Sequence, residues 1–279
     1  MKSSSQRVQT RIETERVSNV NGVDLSYSDA GDGQRTVLLI HGHPFNRTMW
    51  RSQLEFLQAS YRVVVPDLRG YGASSLPDCR ETRLEMFAAD NLALMDSLGI
   101  RKFVLGGLSM GGQIVLEMLR QAPDRIEALL LADTFAGLDS AERKQLRFTM
   151  ADRLEREGMA AYAGEELTKM IAPANAEELP HVAEHVMKMM TTTPPAGAAA
   201  ALRGRAQRMD YTPLLRKIRV PTLVVVGRED VYTPVAWAEQ LNRDIPESKL
   251  VIIEKAGHMP NLERPDVFNE ALGSWLQGL

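Results

Sequence analysis

Short runs of apolar residues alternate with longer amphipathic stretches along most of the chain. The apolar runs lack polar alternation, which is typical of strands covered on both faces of a parallel sheet. Arg83–Leu98 and Gln113–Arg120 have the apolar spacing of amphipathic helices, and Asn21-Gly22 interrupts the alternating stretch 17–28 as a hairpin turn would. Strands interleaved with helices predict an open α/β sheet. The predicted strands are Thr36–Ile40, Arg62–Val65, Phe103–Leu105, Ala128–Leu131, Leu223–Val226 and Leu250–Ile253.

The interval from Ala136 to Met209 breaks this alternation. It contains no strand-like run, only helical segments separated by glycine and proline. We therefore predict a helical cap, residues 136–209, inserted into an α/β core formed by residues 1–135 and 210–279. The cap holds seven of the fourteen methionines: Met150, Met159, Met170, Met187, Met189, Met190 and Met209.

The composition of the chain argues against nucleic-acid binding, an intrachain disulfide and a membrane partner. The 279 residues carry a formal net charge of −3, so the chain lacks the basic field of a nucleic-acid-binding protein. Its single cysteine, Cys79, cannot form an intrachain disulfide. The N-terminal segment is polar, residues 1–13 are expected to be frayed, and no run of eighteen apolar residues occurs. These features predict a cytoplasmic monomer or homodimer without a membrane partner.

The strongest chemical signal is the sequence Gly107-Leu108-Ser109-Met110-Gly111. It follows the predicted strand Phe103–Leu105 and precedes a helix, which is the context of a nucleophile elbow. Such a turn holds the serine in a strained conformation with its hydroxyl exposed, and the flanking glycines let neighbouring backbone approach closely. Ser109 is therefore predicted to be a catalytic nucleophile.

A second motif, His41-Gly42-His43-Pro44, follows the strand Thr36–Ile40. Acyl transfer passes through a tetrahedral oxyanion that needs two preorganised donors. We predict the backbone N–H groups of Met110 and His43 as these donors, because Gly42 lets the loop turn inward over the elbow. The His41 side chain is expected to hold the loop by hydrogen bonds rather than to act as a base.

Together with Asp67-Leu68-Arg69-Gly70-Tyr71-Gly72-Ala73-Ser74, Gly227-Arg228-Glu229-Asp230 and Gly257-His258, these motifs resemble the α/β-hydrolase superfamily over about residues 17–278. The resemblance implies a mostly parallel eight-stranded sheet flanked by helices. Pro44-Phe45-Asn46 and the segment 256–263 resemble the branch of 3-oxoadipate enol-lactonases, which is similar to esterases that open large lactones. His43 departs from the aromatic residue usual in enol-lactonases.

The superfamily order of nucleophile, acid and histidine indicates the other two catalytic residues. Asp230 follows the strand Leu223–Val226 and is the predicted acid, whereas Asp133, after Ala128–Leu131, is a rival because some relatives place the acid there. His258 follows the last strand through a glycine loop and is the predicted general base.

One further motif has a competing interpretation. The segment from His181 to His185 matches H-x-x-E-H, a metal motif that places both histidines on one helix face. No third ligand accompanies it and the chain already has a serine site, so we interpret it as a helix surface. No metal and no cofactor are predicted.

These residues predict an enzyme that hydrolyses a carboxylic ester or lactone through an acyl-serine intermediate. Carbon–carbon bond hydrolases and cofactor-free haloperoxidases use the same triad and remain alternatives, as does a non-catalytic receptor. Methionine-rich surfaces adapt to apolar ligands, so the cap favours a bulky apolar substrate such as a macrolide lactone. A small acidic lactone is the alternative if arginines of the cap, Arg203, Arg205 or Arg208, reach the serine. The residues predicted to contact the substrate are Phe45, Trp50, Phe135 and Met259.

Overall fold

The computed structural model describes residues 15–76 and 78–279; the polar segment 1–13, expected to be frayed, lies outside these residues. Within the described ranges the chain forms one eight-stranded sheet in the order β1-β2-β4-β3-β5-β6-β7-β8, parallel except where β2 pairs with β1 and β4. The mostly parallel α/β sheet is therefore confirmed. The strands are β1 Glu15–Val20, β2 Val23–Ala30, β3 Thr36–Ile40, β4 Arg62–Pro66, β5 Phe103–Leu108, β6 Ile126–Ala132, β7 Thr222–Gly227 and β8 Lys249–Ile253.

The predicted hairpin joins β1 and β2. Asn21 and Gly22 both have positive φ, 49° and 77°, and Val20 lies opposite Val23. A two-residue turn with this pair of left-handed residues matches the right-handed twist of the flanking strands, and asparagine followed by glycine adopts it at low cost.

Helices cover both faces of the sheet, so the central strands are buried along their whole length. This burial explains why their sequences are continuously apolar. None of the helices in residues 15–76 and 78–279 is long and apolar enough to cross a membrane. Those outside the cap are α1 Arg51–Leu57, α2 Leu84–Ser97, α3 Met110–Gln121, α9 Thr212–Leu215, α10 Val235–Asp244, α11 Pro260–Glu263 and α12 Pro265–Gln277.

Between β6 and β7 the described chain is helical, as the predicted cap requires. The backbone N–H of Tyr211 donates to the carbonyl oxygen of Ala136 at 3.1 Å, which brings the two ends of the interval together. The glycines of α8 let the cap approach the core, because a Cβ at Gly197 would lie 2.0 Å from the carbonyl oxygen of Gly70. The cap helices are α4 Ala141–Glu157, α5 Ala160–Met170, α6 Asn175–Glu178, α7 Pro180–Thr192 and α8 Pro195–Ala206.

A buried ion-pair cluster stabilises the cap where it leaves the core. The Asp139 carboxylate accepts hydrogen bonds from Arg147 at 2.7 Å and from Arg208 at 2.6 Å, and the side chains of Asp139 and Arg208 are fully buried. Burial opposes ionisation of Asp139, but the bonds from Arg147 and Arg208 outweigh it and hold its pKa well below the usual value.

We expect Asp139→Asn to lower the free energy of unfolding by about 3–5 kcal/mol, because the buried Arg208 loses its counter-charge. A carboxyl group with a lowered pKa stabilises the fold above its unfolded pKa of about 3.9 and loses that effect as the pH falls. Denaturation at pH 7 and at successively lower pH should therefore show the two proteins converging below about pH 4. Asp152→Asn, at a side chain 65% exposed and paired with Arg203, is the control and should cost less than about 1 kcal/mol. An equal loss in both variants would contradict the role given to Asp139.

Candidate active site

Ser109 occupies the sharp turn between β5 and α3. Its φ and ψ are 59° and −117°, a strained backbone for a residue with a side chain. The glycines on either side are required by close backbone approach. A Cβ at Gly107 would lie 2.4 Å from the carbonyl carbon of Gly111, and a Cβ at Gly111 would lie 2.3 Å from the carbonyl oxygen of Ile40. The G-x-S-x-G pattern thus has the local geometry expected of a nucleophile elbow.

His258 and Asp230 form a buried hydrogen-bonded pair. Nδ1 of His258 lies 2.8 Å from Oδ2 of Asp230. An ionised carboxylate can only accept a hydrogen bond, so Nδ1 carries the proton and donates, and Nε2 presents a lone pair that can take a proton. Asp230 also accepts hydrogen bonds from the backbone N–H of Tyr232, at 2.8 Å, and from the backbone and hydroxyl of Thr233. Burial opposes ionisation of Asp230, but the interaction with His258 and the hydrogen bonds from Thr233 hold its pKa below the usual value.

Asp133, the rival acid, lies beside this pair. One oxygen of Asp133, one of Asp230 and a ring nitrogen of His258 lie within 4.8 Å of one another. Asp133 accepts a hydrogen bond from the backbone N–H of Gly227 at 2.9 Å. Complete burial and the neighbouring Asp230 carboxylate raise the pKa of Asp133 well above the usual range. The two neighbouring carboxyl groups therefore differ, since the ionised form is disfavoured at Asp133 and favoured at Asp230.

The loop after β3 lies against the elbow. A Cβ at Gly42 would lie 3.0 Å from the carbonyl oxygen of Leu108 and 3.2 Å from Cβ of Ser109, so a side chain here would crowd the elbow. Nε2 of His41 accepts from the backbone N–H of Leu68 at 3.0 Å, and Nδ1 lies 2.8 Å from the Gly42 carbonyl oxygen. His41 thus holds the loop, as expected from its position in the motif.

The predicted oxyanion donors are both at this junction. In the described part of the chain, the backbone N–H groups of His43 and Met110 have no hydrogen-bond acceptor. Met110 is the first residue of α3, where an N–H group has no partner within the helix and lies at the positive end of the helix dipole. Nδ1 of the His43 side chain lies 2.7 Å from the hydroxyl oxygen of Tyr71.

Ser109, His258 and His43 line one cavity of about 230 Å³ between the core and the cap. Phe135, which was predicted to contact the substrate, also lines it. The other three residues predicted to contact the substrate require a correction, because they do not line this cavity. Their side chains are fully buried in the hydrophobic core, where proximity in sequence to the catalytic motifs has no bearing on access to the cavity: Phe45, Trp50 and Met259.

The cavity wall contributed by the cap is more basic and less methionine-rich than the sequence predicts. Met150 and Met170 line it, whereas the other five cap methionines do not. Arg205 lines the cavity, but Arg203 pairs with Asp152 and Glu155, and Arg208 pairs with Asp139. The lining also contains five polar or charged residues of the cap that were not predicted from the sequence: Arg143, Arg147, Tyr162, Glu166 and Lys169. A detectable signal was the four-residue spacing of Arg143 and Arg147, which places them on one helix face.

A second cavity of about 320 Å³ adjoins the first. Phe135 and Arg143 line both cavities and so separate them. The Arg143 guanidinium lies over the rings of Phe135 and Trp237, at 5.4 and 5.2 Å from their centroids. This stack stabilises the wall between the two cavities.

The H-x-x-E-H segment lies on α7, away from the catalytic cavity. Nε2 of His185 lies 3.3 Å from the hydroxyl oxygen of Thr48 and 3.3 Å from its carbonyl oxygen, whereas His181 is exposed. Contact with Thr48 gives His185 a role in docking the cap on the core.

Comparison with known proteins identifies the family. The family model of the alpha/beta hydrolase fold matches residues 35–265. The chain belongs to this family. The resemblance stated from the motifs is therefore confirmed, and so is the fold that it implied.

Among the solved structures similar to this α/β hydrolase is an esterase from Thermogutta terrifontis determined with malate bound, which is 39% identical with a TM-score of 0.90 over 95% of this chain and 98% of that one. The enol-lactonase from Burkholderia xenovorans is 29% identical with a TM-score of 0.87 over 94% and 100%. By sequence, 3-oxoadipate enol-lactonase 2 of Acinetobacter baylyi is 31% identical over 90% of this chain and 92% of its own length.

Proposed function

We propose that this α/β hydrolase cleaves a small carboxylic ester or lactone through an acyl-enzyme on Ser109. His258 takes the Ser109 proton on Nε2, and the serine oxygen attacks the substrate carbonyl carbon. The N–H groups of His43 and Met110 stabilise the resulting oxyanion. The intermediate collapses as His258 protonates the leaving alcohol, and water then hydrolyses the acyl-serine with His258 again as base.

The observation that carries this proposal is the hydrogen bond between His258 and Asp230 beside a strained serine in one cavity. The broad class is that of a carboxylic ester hydrolase, since the similar proteins are esterases and enol-lactonases. The malate in the Thermogutta terrifontis esterase and the 3-oxoadipate lactone named for the Acinetobacter baylyi relative are small acids.

The size of the cavity supports a small substrate over the bulky apolar one that the methionines favoured. Its volume of about 230 Å³ falls below the roughly 300–1,000 Å³ of pockets that enclose drug-sized ligands. Its cap wall has more charged side chains than methionines. A macrolide would have to displace this wall.

Two measurements on the wild-type protein test the proposed chemistry. A fluorophosphonate should label the peptide that contains Ser109, as located by mass spectrometry, and p-nitrophenyl acetate should be turned over repeatedly. Labelling without turnover would indicate a receptor that has kept the pocket. Labelling at another residue would overturn the assignment of the nucleophile.

The limited volume of the cavity also predicts that activity depends on the length of the acyl chain of the substrate. For p-nitrophenyl esters we expect kcat/KM to rise by up to about fourfold for each added methylene that the cavity buries, and to fall once the chain exceeds the available space. Acetate, butyrate, hexanoate and dodecanoate esters measured at one pH define this maximum. A continuous rise of kcat/KM up to the dodecanoate ester would contradict the proposal of a small substrate and favour the bulky apolar one.

A further inference from the structure

Arg205 is a buried cation without a counter-charge. Only 8% of its surface is exposed, and within the described part of the chain no carboxylate pairs with it. Its Nε donates to Oε1 of Gln113 at 2.8 Å, while Nη1 and Nη2 have no hydrogen-bonding partner there. A buried guanidinium normally has its donors satisfied by acceptors, because removing a charge from water is costly.

The surroundings of Arg205 increase this cost. Burial and the nearby charge of Arg147 lower its pKa well below the usual value. Arg143, Arg147 and Lys169 line the same cavity, and Glu166, already paired with Lys169 at 2.6 Å, is the one acidic residue of the lining. Arg143 and Arg147 face Asp139, and Lys169 is paired with Glu166, so Arg205 is the lining cation for which the described chain provides no ion pair.

We propose that Arg205 binds a carboxylate carried by the substrate, so that the preferred substrates are esters or lactones that bear a free carboxylate. This inference rests on the proposed hydrolysis at Ser109 and specifies its substrate class. The two Nη groups of a guanidinium match the two oxygens of a carboxylate, and the exclusion of water strengthens the pair. The bond from Nε to Gln113 fixes the orientation of the guanidinium from behind.

The side chain of His43, which lines the cavity beside Arg205, also has a buried polar atom without a partner. Burial and the charge of Arg205 lower the pKa of His43 well below its usual value, so this histidine is neutral. Nε2 of His43 is buried without a partner, and His43 lines the cavity beside Arg205. A substrate that carries oxygen atoms would supply the acceptors or donors that both side chains lack.

The test compares two methyl esters of the same shape that differ in charge. Monomethyl succinate ends in a carboxylate and methyl isocaproate ends in an isopropyl group, and a pH-stat measures the hydrolysis of both. We expect the wild-type protein to prefer the succinate ester and Arg205→Met to lower the ratio of the two kcat/KM values by about a hundredfold. The ratio for Arg205→Lys should lie between those of the wild-type protein and Arg205→Met, because lysine keeps the charge but cannot donate two parallel hydrogen bonds to a carboxylate.

Arg203→Met is the matched control, since it removes an arginine two residues away on the same helix and outside the cavity. Its ratio should equal that of the wild-type protein. An unchanged ratio in Arg205→Met, or an equal fall in Arg203→Met, would overturn the proposal. Failure of every protein to cleave even the neutral ester would instead contradict hydrolysis at Ser109, so the two failures are distinguishable.

Thermal unfolding gives a readout that does not depend on turnover. Succinate should raise the Tm of the wild-type protein and of Ser109→Ala, but not that of Arg205→Met. Without ligand, Arg205→Met should melt several degrees above the wild-type protein, because a buried and unpaired charge is removed. Arg203→Met should melt lower, since it loses two ion pairs. Equal stabilisation of all variants by succinate would contradict binding at Arg205.

Discussion

Replacing Ser109 by alanine is expected to lower kcat on any accepted ester by about 10³–10⁶-fold, leaving the contribution of the oxyanion hole and of binding. The change removes one oxygen from a residue that already has positive φ. The backbone strain is the same for alanine, so the free energy of unfolding should change little. Steady-state kinetics and thermal unfolding on the same preparation measure both effects.

Gly111→Ala serves as a contrasting variant, because its Cβ would lie 2.3 Å from the carbonyl oxygen of Ile40. It should lose both stability and activity, whereas Ser109→Ala should lose activity alone. If Ser109→Ala retained more than about a tenth of wild-type turnover, Ser109 would not be the nucleophile.

The second large effect is expected at the acid. Asp230→Asn should lower kcat/KM by about 10⁴-fold, because an amide NH₂ facing Nδ1 of His258 favours the tautomer that cannot accept the serine proton. Asp133→Asn should cost less than about tenfold. Burial disfavours the ionised form of Asp133, and an uncharged amide of the same shape can still accept the hydrogen bond from Gly227.

These two variants form a matched pair, since each replaces a buried carboxyl group by its amide within 4.8 Å of the other. Fluorophosphonate labelling rates provide a second measure that does not depend on the substrate. If Asp133→Asn were the more damaging of the two, the acid would be reassigned to position 133.

The elbow, the hairpin and the sheet were predictable because each depends on local sequence. Strained or tight turns require particular residues at fixed offsets, as at Ser109 with its glycines and at Asn21-Gly22. Strands buried on both faces must be continuously apolar, and β3 was predicted with its observed ends. Asp230 was predicted as the acid from the order of nucleophile, acid and histidine along the chain in the superfamily.

The lining of the cavity was less predictable because it depends on how helices of the cap pack on the core. Trp50 and Phe45 are near catalytic motifs in sequence, yet their side chains point into the core. Arg203 and Arg205 are two residues apart on α8, a spacing that places them on different helix faces. Nothing in the local pattern indicates which face meets the cavity and which meets Asp152 and Glu155.

The wall that separates the two cavities has a consequence for how this enzyme could diversify. Phe135 is the single aromatic side chain common to both linings, and the space behind it is bounded by residues of α10 and the start of the cap. A smaller residue at position 135 would remove one of the two side chains that form this wall and one of the two rings on which Arg143 stacks, without changing a catalytic residue. The space open to a substrate therefore depends on residues that take no part in the chemistry, so it can change in evolution while the triad and the cap helices stay the same.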